Sequence, residues 1–124
     1  MRRIVLVLAA VALVGGACSS GDKGGGGGAC TEANAVDLSG DNPFTVTVHG
    51  FAFIPNCFKA SSTSAITIVN QDAKPHTFTI DGTQVNAPLP PGETFNGESA
   101  GLAAGTYPFK CTIHPTMTGT IIVV

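Results

Sequence analysis

Tryptophan is absent from the 124 residues, tyrosine occurs once, and methionine twice, one of them the initiator Met1. Charged residues make up 11% of the chain, under half of the roughly 25% usual in soluble domains. The six Lys and Arg form no cluster beyond Arg2-Arg3, so no basic surface is expected and nucleic acid is excluded as a partner. Long apolar runs are missing too. The longest, Ile4 to Val14, has eleven residues, too few to span a bilayer as a stable helix. Beyond it no stretch of useful length repeats at the helical period, which argues against a helical protein.

What the N-terminus does hold is a short basic start, the apolar run, then Gly15-Gly16-Ala17 before Cys18. This is the pattern of an export signal, and residues 1–17 are expected to be one. A Cys directly after small residues makes the segment similar to a bacterial lipoprotein signal, which implies that Cys18 is lipidated. Gly15 departs from that pattern, which usually has an aliphatic residue there. Residues 18–29 follow as a tether rich in Gly and Ser. Its composition cannot bury apolar surface, and eleven such residues reach roughly 18 Å as a coil. The expected location is therefore exported, lipid-anchored to the cell envelope on the outer face of a membrane. Residues 30–124 remain as one folded domain, long enough for a small core. In it Lys59, Lys74 and Lys110 face seven scattered carboxylates, leaving a net charge of −4 with His neutral.

Four cysteines are present. With Cys18 given to lipid and Cys111 to a metal, Cys30 and Cys57 are left. An oxidising compartment favours a disulfide between them; two buried free thiols are the alternative.

Short apolar or alternating runs bounded by Gly, Pro, Asn and Asp recur through the domain: Thr45–Val48, Phe51–Ile54, Ala65–Val69, Thr77–Ile80, Thr106–Lys110 and Gly119–Val124. Such punctuation predicts an all-β chain of six to eight strands in a two-sheet sandwich. Asn86 to Gly92, with Pro88, Pro90 and Pro91, reads as loop. Pro108 cannot donate to a ladder and must face a non-bonded position or an edge. Tyr107 and Phe109 alternate toward one face and are expected in the core. Gly119 is expected at a bulge or a close approach.

The C-terminal Cys111-Thr-Ile-His114-Pro-Thr-Met117 places a thiolate, an imidazole and a thioether within seven residues, and His76 follows Lys74-Pro75 further upstream. One Cys, two His and one weakly bound Met form the donor set of a copper site that serves both oxidation states. Zinc has little use for the thioether. His49 has no such company and reads as a surface strand residue.

The stretch Gly105-Thr-Tyr107-Pro-Phe109-Lys-Cys111-Thr-Ile-His114-Pro-Thr-Met117 resembles the copper loop of cupredoxins, with the short spacing found in amicyanins. Val69-Asn70-Gln71-Asp72-Ala73-Lys74-Pro75-His76 is similar to the family's first-ligand segment. The resemblance runs from Phe51 to Val124. It implies a Greek-key β-sandwich (cupredoxin-like), one type 1 copper per chain, His76, Cys111 and His114 as strong ligands, and Met117 as the weak axial one. It also implies that His114 lies near the surface within an apolar patch. Thr77 stands where many members have an Asn that ties the two ligand loops together.

The expected function is one-electron transfer by copper, not catalysis, with exported or membrane redox proteins as partners and a monomeric chain. A copper carrier for delivery or resistance is the alternative. Such carriers tend to cluster Met and His, and this chain has one candidate Met and three His. A self-contained multicopper enzyme is excluded, because only His49 would remain for a second centre.

Overall fold

The computed structural model describes residues 28–124; the expected signal, Cys18 and most of the expected tether lie outside the described residues. No helix occurs among them. Ten strands follow in order: β1 (Val36–Asp37), β2 (Phe44–His49), β3 (Ala52–Ile54), β4 (Cys57–Ala60), β5 (Ile66–Asn70), β6 (His76–Thr79), β7 (Asn86–Leu89), β8 (Thr94–Gly97), β9 (Gly105–Lys110) and β10 (Thr118–Val123). They form a six-stranded sheet, β1-β4-β10-β9-β6-β7, and a four-stranded sheet, β3-β2-β5-β8. The chain passes repeatedly between the two. β1–β4, β4–β10 and β2–β5 pair in parallel, and the remaining pairs are antiparallel.

Alternation explains the layering. In β2, Phe44, Val46 and Val48 are buried while Thr45 and His49 are exposed, because successive side chains leave a strand on opposite faces. Phe53 of the smaller sheet meets Phe78 and Phe109 of the larger one edge-on, with ring centroids 5.8 and 5.0 Å apart. Phe58 and Phe78 also flank Phe109. Full burial of each such ring is worth about 1.5–3 kcal/mol. Phe109 lies two residues before Cys111, so the best-packed part of the core anchors the strand that delivers the thiolate. Tyr107 packs on the rim of that core, and its hydroxyl donates to the Ala103 carbonyl at 2.8 Å.

Asn86–Leu89 is a strand, where the proline content had indicated loop. β7 is the outer strand of its sheet, and Pro88 sits opposite Thr77. An edge strand is bonded on one side only, so a proline's missing N–H is tolerated there. Pro108 is accommodated in a related way. It pairs with Thr120 of β10, whereas β6 reaches β9 only at Thr79–Lys110, so Pro108 lies past the end of the β6 ladder. β4 and β8, with no clear alternation in sequence, complete the sheets. A disulfide joins Cys30 to Cys57, with Cα atoms 5.5 Å apart, and ties the N-terminal segment to the start of β4.

β3 begins at Ala52, one residue later than its apolar run suggests. Gly50 and Phe51 both have positive φ, 61° and 58°, and they join His49 to its partner Ala52. A two-residue hairpin turn with both central residues left-handed matches the right-handed strand twist. Glycine adopts such a φ freely, whereas for Phe51 it costs about 1–2 kcal/mol.

Candidate metal centre

One end of the sandwich gathers the start of β6, the β9–β10 loop and the β2–β3 turn. The loop is closed by its own backbone. Cys111 N–H donates to the Met117 carbonyl and Met117 N–H donates to the His114 carbonyl, both at 3.0 Å. These bonds fold the segment so that Cys111, His114 and Met117 share one turn, which their spacing of two intervening residues permits. Lys110 pairs with Thr118 directly beneath it.

Within this end, His76 Nδ1, His114 Nδ1 and Cys111 Sγ converge. The nitrogens are 3.1 Å apart, and the sulfur lies 3.9 Å from His76 and 3.7 Å from His114. All three donors lie within 4.8 Å of one another, the one such grouping among the described residues. An ion about 2.0 Å from nitrogen and about 2.3 Å from sulfur, in their plane, would require separations of about 3.5 to 3.7 Å. The triangle therefore fits one first-row metal ion. His76, Cys111 and Met117 are buried, each 1% exposed, and His114 is half-buried. A buried thiol, two imidazoles and a buried thioether residue on the same loop select copper over harder ions. His49 is exposed at the end of β2 and takes no part.

The orientation of His76 is set by Asp72, a residue to which sequence reasoning gave no role. His76 Nε2 donates to Asp72 Oδ2 at 2.9 Å, which leaves Nδ1 as the nitrogen free to bind. The same carboxylate accepts Gly50 N–H at 2.8 Å and Phe51 N–H at 3.0 Å. The Phe51 N–H foremost, helped by that of Gly50 and by His76, holds the Asp72 carboxyl below the usual carboxylate range, against the opposing effect of burial. Asn70, fully buried, supports this loop from below. Its side-chain amide reaches the carbonyls of Lys74, Leu89 and Pro90, and its oxygen accepts Asp72 N–H.

Thr77 joins the two ligand segments. Its N–H donates to Cys111 Sγ at 3.4 Å, its hydroxyl oxygen accepts Thr112 N–H at 2.9 Å, and the two hydroxyls lie 3.1 Å apart. The threonine hydroxyl thus reaches across to the segment after Cys111.

The β2–β3 turn supplies the last component. The Phe51 ring meets both imidazoles edge-on, its centroid 5.4 Å from His76 and 5.0 Å from His114, each at 89°. Such contacts are worth about 0.5–1.5 kcal/mol each between aromatic rings, enough together to offset the backbone cost at this residue.

The cupredoxin-like domain model matches residues 7–123. The chain belongs to the cupredoxin-like family. This cupredoxin is similar in structure to the Cu(I) form of an amicyanin mutant, with a TM-score of 0.56 and 22% identity over 68% of this chain and 84% of that one. A purple cupredoxin from Nitrosopumilus maritimus gives 0.54 and 21%, covering 68% of this chain and all of that one. The copper-containing nitrite reductase of Thermus scotoductus SA-01 gives 0.54 and 26% over 66% of this chain but only 22% of its own length. No curated protein sequence matches the chain.

Proposed function

We propose that this cupredoxin is a one-electron carrier in which His76, Cys111, His114 and Met117 hold a single copper ion. The convergence of His76 Nδ1, His114 Nδ1 and Cys111 Sγ within 4.8 Å carries the reading. Two imidazoles and a thiolate with a weak thioether suit both Cu(II) and Cu(I), and cycling between these states is the chemistry that the ion supplies. The chain's own residues keep the donors in place. Asp72 fixes the His76 ring, the Thr77 N–H steadies the Cys111 sulfur, and the closed β9–β10 loop sets His114 and Met117 relative to Cys111. His114, the less buried imidazole, is the ligand through which an exported or membrane redox protein would exchange electrons.

Addition of Cu(II) to the protein should give an intense visible thiolate-to-copper band that bleaches reversibly on reduction. Cys111→Ser should abolish the band, and persistence of the colour in that variant would overturn the ligand assignment. A pale spectrum in the wild type, with rapid loss of copper to a chelator, would instead point to a copper-delivery role.

The export pattern of residues 1–17 and the Gly-rich segment behind Cys18 support a carrier lipid-anchored to the cell envelope. Mass spectrometry of protein extracted from membranes should find a lipid on Cys18. Recovery of an unmodified Cys18 in the soluble fraction would refute the anchor.

A further inference from the structure

Phe51 combines three features that a surface turn residue does not need together. It is a bulky residue at φ 58°, it is 49% exposed, and its ring meets both His76 and His114 edge-on. Its backbone is not free to relax, because Asp72 Oδ2 accepts both its N–H and the His76 ring N–H. The turn, the carboxylate, the phenyl ring and the two imidazoles therefore form one connected unit. His76 already has its Asp72 hydrogen bond. Within the described residues, His114 has the Phe51 ring and the His76 ring as its aromatic neighbours.

We propose that Phe51 is a positioning residue for the metal ligands. Its ring restrains the planes of both imidazoles and covers them, so that the donor triangle persists whether or not an ion is bound. The proposal rests on the copper reading for its consequence: rigid ligands keep the rearrangement between Cu(II) and Cu(I) small.

The decisive variant is Phe51→Gly, because glycine adopts the left-handed backbone without strain and the hairpin turn should survive. In the copper-free protein, NMR should show contacts from the Phe51 ring to both imidazoles. In Phe51→Gly the His114 ring signals should broaden or average. In the copper-loaded protein, the same variant should release copper to a chelator at least tenfold faster and show altered Cu(II) paramagnetic resonance parameters. Phe51→Tyr, which keeps the ring, should behave as the wild type. Phe51→Leu keeps bulk without an aromatic ring and should follow Phe51→Gly; it is read in its place if the glycine variant does not fold. An unchanged release rate and resonance spectrum in a folded Phe51→Gly or Phe51→Leu would overturn the proposal. So would a change fully accounted for by lost folding stability in denaturant. Absence of a thiolate–copper band in the wild type would defeat the copper reading alone, since the copper-free NMR comparison still reports the restraint on the rings.

Discussion

One carboxylate links the β2–β3 turn to the His76 ring. Asp72 accepts two backbone N–H groups from the β2–β3 turn and one ring N–H from His76. Hydrogen bonds to a charged group contribute about 1.5–3 kcal/mol each, and loss of the acceptor leaves its donors unpaired. Partners of this kind typically account for about 10–100-fold in metal affinity. Asp72→Ala should therefore weaken copper binding by about that factor in a competition titration. An unchanged affinity would show that the carboxylate serves the turn and not the ligand. Because its folded-state pKa is lowered, the stability that Asp72 contributes is present above the ordinary carboxylate range. It is lost as pH falls below 3.8 and through the lowered value.

Among the elements, the β9–β10 hairpin makes the strictest demand on sequence. Gly119 pairs with Phe109 in the ladder, and a Cβ at Gly119 would stand 2.6 Å from the Asn56 carbonyl oxygen and run into the Phe109 ring. The carbonyl belongs to the backbone turn before β4 and accepts the Thr120 N–H at 2.7 Å, so it has little room to give. The ladder continues through Gly119 without an extra residue, so the position is a close approach and not a bulge. Gly119→Ala should cost about 1–3 kcal/mol by overpacking, read from the midpoint of denaturant unfolding. A loss below about 0.5 kcal/mol would mean that the turn yields freely. The same displacement should move Phe109, and with it Cys111, so the visible band should shift in the folded fraction.

At the level of the whole molecule, the two sheets divide the work. The larger sheet carries all four proposed ligands, on β6 and at the β9–β10 junction. The smaller one contributes the turn that covers them and, at the end of β5, the Asn70 that supports the Asp72 loop. The site therefore depends on how the sheets are stacked. The Cys30–Cys57 disulfide acts elsewhere, tying the N-terminal segment to β4 of the larger sheet. Its sequence separation of 27 residues corresponds to about 3.5 kcal/mol in the chain-entropy model. Replacing both cysteines by Ser should lower unfolding free energy by about that amount while leaving the copper spectrum of the folded protein unchanged. A changed spectrum would show that the link also shapes the site.

Three of the four proposed donors were legible in the sequence because they are local. Cys111, His114 and Met117 belong to one turn, and their side-chain chemistry names the ion. The all-β class was equally legible, since a period of two is a property of neighbouring residues, as in Phe44 to His49. Other features required the folded chain. Asp72 binds Gly50 and Phe51 across 22 and 21 residues, and no local pattern relates those positions. Phe51 read as the first residue of a strand because it is apolar and next to Ala52-Phe53. Only the hairpin geometry and the carboxylate beneath it place its backbone in the left-handed region. Asn86–Leu89 read as loop because proline disfavours ladders in general, and whether a strand lies at an edge is settled by the order of the whole sheet. Local spacing marked Cys111, His114 and Met117 and the metal their chemistry suits, whereas the fold brought His76 to them, and the packing of one sheet on the other decided which residues orient and cover the proposed ligands.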